Sequence, residues 1–228
     1  MNVSGKVSQI EERVNAACIR SGRARQDVTI IAVTKYVSVQ EAGAALKAGL
    51  THIGENRWQN AKEKWEALGP QAEWHFIGHL QSNKVKDVIG RFSYIHSLDK
   101  LTLAKEISRK AVSVGALVNV FIQVNVSGEE SKYGMKPEEL VSFAEQICNL
   151  PGICVAGLMT MAPYEAEPEE IRSIFRRLRK LRDELNATTI FSYRIDGLSM
   201  GMSGDFEIAI EEGATFIRLG SILFSNEI

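Results

Sequence analysis

Three short stretches of this 228-residue chain hold side chains whose type and spacing suit chemistry. The first ends in Lys35, the last residue of the run TIIAVTK (29–35). Alternate side chains of an extended strand share a face, so Lys35 falls on the side of Ile31 and Val33. If that side is an interior, loss of hydration disfavours the ammonium and leaves a nucleophilic amine able to condense with an aldehyde. A strand-end lysine can equally reach into solvent.

The second stretch is the turn GMSGD (201–205), which leads into a helical pattern over 204–212. Its free backbone N–H groups and the Ser203 hydroxyl suit phosphate oxygens. The helix-end field contributes only about 0.3–1 kcal/mol when exposed, so hydrogen bonds must supply most of the affinity. Asp205 and Glu207 would compete with an anion, and Ser203 could instead be an ordinary helix cap. The third stretch is RLGS (218–221). Gly220 permits close backbone approach and Ser221 can donate, while Arg218 alternates with Phe216 and can point inward. A buried arginine needs a partner, either an interior carboxylate or a ligand atom.

Something must bring these stretches together. The chain alternates β-rich runs at 29–35, 52–56, 74–78, 94–98, 119–125, 153–161, 193–200 and 215–220 with helical patterns near 38–48, 57–67, 82–89, 100–114, 137–148, 168–186 and 204–212. An amphipathic helix precedes them, with apolar positions at Val3, Val7, Ile10, Val14, Ala17 and Cys18. No linker or low-complexity stretch interrupts the alternation. The pattern predicts an α/β fold: a single (β/α)8 TIM barrel over 1–228 with an extra N-terminal helix. A doubly wound open sheet is the rival. In a barrel of this kind, sites form where strands end. The loops after strands 7 and 8 often hold phosphate, and strand 8 closes onto strand 1. A lysine facing a phosphate cradle suits an aldehyde that carries a phosphate, and pyridoxal 5′-phosphate is such a cofactor.

At these residues the sequence resembles the pyridoxal-phosphate homeostasis proteins, whose barrel is similar to the N-terminal domain of alanine racemase. The stretches that carry the resemblance include AVTK (32–35), HIGENRWQ (52–59), WHFIGHLQSNK (74–84), QVNVSGEESKYG (123–134) and LSMGMSGDFEIAIEEGATFIRLGSILF (198–224). The resemblance implies a fold-type III arrangement with the cofactor as a Schiff base on Lys35. It also implies that Ser203, Gly204, Gly220 and Ser221 hold the phosphate, that Arg218 meets the pyridine nitrogen, and that Asn56 lies against the cofactor. It implies a carrier or regulator of vitamin B6 without an assigned reaction, with cofactor-requiring apo-enzymes as partners; the lack of a signal-like start and of a visible dimerisation domain predicts a cytoplasmic monomer. A racemase-like enzyme acting on amino acids and a cofactor-sensing interaction protein are the alternatives. Ser225, where the family commonly has glycine, and Tyr36, where several members have a smaller residue, depart from the pattern.

Other features argue against competing classes. With 27 basic and 28 acidic residues the net charge is −1, which gives no broad field for nucleic acid or an anionic membrane. Cys18, Cys148 and Cys154 are odd in number and unlike a zinc or disulfide frame, which suits a reducing compartment. His75 and His79 on one strand would stand about 13 Å apart, too far for one metal ion. His52 and His96 have no ligand-like companions in sequence. The basic helix 171–185 reads as a solvated outer helix. The run 128–134 reads as a mobile loop over the site, with Lys132 as a possible second acceptor of cofactor.

Overall fold

A computed structural model describes residues 2–129 and 132–225. Its parallel strands close into a barrel in chain order: β1 (Thr29–Val33), β2 (His52–Glu55), β3 (Glu73–Phe76), β4 (Tyr94–Leu98), β5 (Val118–Gln123), β6 (Ile153–Met159), β7 (Gly197–Ser199) and β8 (Phe216–Leu219). β8 pairs with β1 through Phe216 beside Thr29 and Arg218 beside Ile31, which rules out the open sheet. The outer layer comprises α2 (Val39–Lys47), α3 (Trp58–Leu68), α4 (Val85–Val88), α5 (Leu101–Ser113), α6 (Leu140–Ile147), α7 (Pro168–Ala187) and α8 (Phe206–Glu211). The extra helix, α1 (Val3–Arg20), packs on α8 and α2. All six of its expected apolar positions are buried. Burial of each Val or Ile contributes roughly 1.5–3 kcal/mol, and the Arg13–Glu207 pair at 3.0 Å ties the polar edge to α8.

The barrel interior is narrow and filled by side chains. Gly197 leaves room for a ring of another strand, since a Cβ there would stand 2.7 Å from Phe121, whereas one on Gly54 would stand 2.8 Å from Ile31 and one on Gly157 would strike the backbone of Gly197. Rings of His75, Tyr94, His96, Phe121 and Phe216 occupy that space. His75 stacks on Tyr94 at 4.5 Å and His96 on Phe121 at 4.5 Å.

Four boundaries differ from the sequence reading, each for a local reason. β1 ends at Val33, and Lys35 lies in the turn that follows. The seventh strand begins at Gly197, not 193, because Asn186 of α7 takes both the N–H and the carbonyl of Ile195. The 82–89 helix is a 3-10 turn (Ser82–Lys84) plus one α-turn, ended by extended backbone at Ile89. A short helix, α9 (Ser221–Phe224), follows β8, where the sequence reading placed no element. The middle of the 128–134 loop lies outside the described residues. No helix among the described residues is long and apolar enough to cross a membrane.

Candidate cofactor site

Lys35 is half-buried at the C-terminal mouth, and its Nζ makes no hydrogen bond or ion pair with a described residue. The nearest aromatic face is its neighbour Tyr36, 5.1 Å away. Tyr36 itself is exposed. The peptide that leads into Lys35 is held from below. Thr34 is buried, and its hydroxyl donates to Glu55 Oε1 at 2.6 Å. Lys64 of α3 sits 2.6 Å from the same oxygen and donates to the Thr34 carbonyl at 2.5 Å. Sequence reasoning missed Lys64. The available signal was a lysine three residues after Ala61, on the inward stripe of α3.

The two glycine-containing turns meet across β7 and β8. Ser203 does not cap a helix: α8 starts at Phe206 with Asp205 before it. The Ser203 oxygen instead accepts from the N–H groups of Gly220 and Ile222, at 3.3 and 3.4 Å. That leaves its own proton, and the N–H groups of Ser203, Gly204 and Ser221, without a protein partner among the described residues. A Cβ on Gly204 would project into open space, whereas one on Gly220 would touch Val33, two residues before Lys35. The phosphate-like cradle and the lysine turn are therefore packed together. The competing carboxylates are turned away: Asp205 accepts from Met202 N–H at 2.5 Å, and Glu207 pairs with Arg13. Burial raises the Asp205 pKa from its ordinary value, against backbone hydrogen bonds and Arg218 that lower it.

Arg218 is buried, with Nη1 donating to Ser199 Oγ at 2.6 Å and Nη2 to the Thr160 carbonyl at 3.0 Å. No carboxylate of a described residue lies within ion-pair distance. Burial pulls its pKa down to about 10, with Asp205 opposing, so it stays charged near neutral pH. Of the two partners a buried arginine could take, the interior carboxylate is absent among the described residues, and a ligand atom remains. Asn56 is half-buried with an unpartnered, buried Oδ1. It forms one wall of a cleft of about 490 Å³ with Arg57, Phe76, His79, Lys84 and Tyr133. That cleft lies beside the mouth over β2 and β3; neither Lys35 nor Arg218 lines it. Lys132 pairs with Glu129 at 3.1 Å.

The histidines that had no companions in sequence form a file inside the barrel. His52 Nδ1 lies 2.9 Å from His75 Nε2, His75 Nδ1 lies 2.9 Å from His96 Nε2, and His96 Nδ1 lies 2.8 Å from Ser199 Oγ. Their signal was a histidine at an inward position in three successive strands. His79, by contrast, is exposed and stacks on Tyr133 at 4.2 Å.

Burial, then a neighbouring imidazole, holds His75 and His96 well below the usual histidine value of 6.5. In the unfolded chain both take protons as the pH falls below that value, while the native state refuses them. Stability is therefore complete above about pH 6.5 and drops below it by ~1.4 kcal/mol per pH unit for each histidine. Urea unfolding midpoints should fall steeply from pH 6.5 to 5, and His75→Gln should make that slope shallower.

The comparisons with known proteins bear on the family and the fold. The model of the alanine racemase N-terminal domain matches residues 8–227. A pyridoxal phosphate homeostasis protein of Aquifex aeolicus is 45% identical over 227 residues, 99% of each chain. The chain belongs to the pyridoxal phosphate homeostasis protein family. Within that family, PipY of Synechococcus elongatus, solved with PLP bound, is 34% identical with a TM-score of 0.82, over 95% of this chain and 100% of that one. An alanine racemase of Clostridium difficile shares the fold at 17% identity, with a TM-score of 0.78 over 99% of this chain and 57% of its own. The family's names assign no reaction.

Proposed function

We propose that this chain binds pyridoxal 5′-phosphate on Lys35 and serves intracellular vitamin B6 homeostasis as a cytoplasmic, monomeric carrier or regulator rather than through turnover. The observation that carries the reading is the convergence of unsatisfied groups on one mouth. They are an amine without an ion pair, N–H donors at Ser203, Gly204 and Ser221, and a buried arginine without a carboxylate.

Those groups fit the cofactor's parts. The donors and the Ser203 hydroxyl suit the phosphate oxygens, Gly220 and Gly204 leave room for them, and Asn56 lies at the rim. Bound pyridoxal phosphate supplies an electrophilic aldehyde and an electron-withdrawing ring. The amine of Lys35 would hold that aldehyde, and its backbone is steadied by Thr34, Glu55 and Lys64. Arg218, charged and anchored by Ser199 and Thr160, would keep a ring nitrogen placed against it from taking a proton, because two positive charges would meet. An unprotonated ring withdraws fewer electrons, which favours reversible holding over carbanion chemistry. Apo-enzymes that need the cofactor are the recipients in this reading.

The test is direct. Protein incubated with the cofactor and then borohydride should gain one reduced adduct, mapped to Lys35 by peptide mass. An adduct elsewhere, or none, overturns the reading. A second reading, an enzyme acting on amino acids, has the cleft in its favour: Arg57 and Lys84 could receive a carboxylate beside Asn56. Proton exchange at the α-carbon of an added amino acid would support it.

A further inference from the structure

The histidine file joins two ends of the barrel. His52, half-buried at the start of β2, opens to solvent at the N-terminal mouth, whereas Ser199 holds Arg218 inside. The rings cannot turn freely, since His75 is clamped against Tyr94 and His96 against Phe121. We propose that His52, His75, His96 and Ser199 form a tautomeric switch, through which protonation of His52 loosens the hold of Ser199 on Arg218 and weakens binding of the ring that Arg218 meets. The link to the ring rests on the functional reading above; the switch itself does not.

The argument is one of donors and acceptors. Arginine only donates, so Ser199 Oγ must accept from Nη1. When the three imidazoles are neutral, Ser199 satisfies every group by donating its own proton to His96 Nδ1. His96 then carries its proton on Nε2 and donates to His75 Nδ1. His75 donates from Nε2 to His52 Nδ1, and the Nε2 proton of His52 meets solvent. A charged His52 has protons on both nitrogens, so its Nδ1–H must donate to a bare His75 Nε2. His75 and His96 then each carry their proton on Nδ1, and Ser199 accepts from His96 and Arg218 together.

The balance is one proton. Along the file the Nε2 protons of His75 and His96 each pass one bond toward His52, Ser199 passes its own to His96 Nδ1, and the proton from solvent restores the Ser199 hydroxyl, so the net charge rests on His52. The restored Ser199 hydroxyl has no acceptor for its proton among the described residues. It also loses the polarisation that made its oxygen a strong acceptor for Arg218.

The charged and titratable groups that face the file are Glu73, Tyr94 and Cys154 toward the N-terminal mouth, and Arg218 with Asp205 beyond Ser199. Burial lowers the His52 pKa and Glu73 raises it, while His75 and His96 are held neutral, so the added proton resides on His52. Tyr94, pushed up by burial, stays uncharged over the same range.

The experiment uses 15N-histidine-labelled protein without added cofactor, followed by NMR as the pH falls. His96 should pass from the Nε2–H to the Nδ1–H form as His52 titrates, and His52→Gln should abolish the change. A single His96 tautomer throughout, or a change that persists in His52→Gln, overturns the switch. Should that variant fail to fold, Glu73→Gln must move the His52 midpoint and the His96 change to lower pH together; separate movement overturns it. In the second arm, wild type should bind pyridoxal phosphate about fivefold more weakly below the His52 midpoint than above it, relative to His52→Gln. By reciprocity, cofactor should shift that midpoint to lower pH. Equal pH profiles overturn the link to the ring. Wild type that binds no cofactor at any pH removes the functional reading and this link with it, while the NMR arm decides the switch alone.

Discussion

Lys35→Ala should leave a folded protein that no longer forms a borohydride-reducible adduct with pyridoxal phosphate. Its affinity for that cofactor should fall by about 100-fold or more, which corresponds to ~2.7 kcal/mol. The two halves of this expectation come from different facts. Nζ of Lys35 makes no hydrogen bond or ion pair with a described residue and is only half-buried, so its removal should move stability by no more than about 0.5 kcal/mol. The covalent bond, in contrast, is not readily replaced by the neighbouring lysines, because Lys64 is committed to Glu55 and Thr34 and Lys132 pairs with Glu129. Residual binding should come from the N–H groups at Ser203, Gly204 and Ser221 and should weaken as competing inorganic phosphate rises. An unchanged absorbance band in Lys35→Ala would place the amine elsewhere.

The second large effect belongs to Lys64. Its side chain is 5% exposed and that of Glu55 is 0% exposed, so the pair lies fully within the protein. Lys64→Met would strand a buried carboxylate, whose Oε2 already lacks a partner. Loss of one member of such a pair destabilises by about 3–5 kcal/mol. For a chain of this size that is a fall in Tm of about 10 °C. Glu55→Gln combined with Lys64→Met should recover most of it, since no buried charge then remains. The double variant should still capture cofactor more slowly, because the Thr34 carbonyl loses the ammonium that holds the peptide before Lys35. Thermal unfolding and the rate of adduct formation separate these effects. Equal capture rates in wild type and double variant would make the pair purely structural.

Much of the fold was legible because the barrel repeats one unit. Each β-rich run met a helical pattern, so eight strands could be placed without contacts. Errors fell where local structure overrode periodicity: Asn186 claimed the backbone of Ile195, and the fourth helix ended where the backbone turns extended at Ile89, before Gly90 at positive φ. The site was legible in part. Lys35, Ser203, Gly204, Arg218, Gly220 and Ser221 lie at strand ends with informative neighbours, and the parallel closure brings them to one mouth. The role of Ser203 was not legible, since its bonds run to residues 17 and 19 positions away.

By itself, the sequence determined the alternating architecture, the apolar stripe of α1 and the family, and it supplied a candidate lysine, arginine and two glycine-containing turns for a phosphorylated aldehyde. Those properties live in the order of neighbours along the chain, where spacing and side-chain type suffice. Only the tertiary structure decided that Arg218 lacks a carboxylate among the described residues, that Lys64 supports the turn before Lys35, and that three histidines join in a file. The physical reason is closure. Rolling the sheet into a barrel sets inward side chains from strands more than 20 residues apart within hydrogen-bond distance, and no local periodicity records which of them will touch.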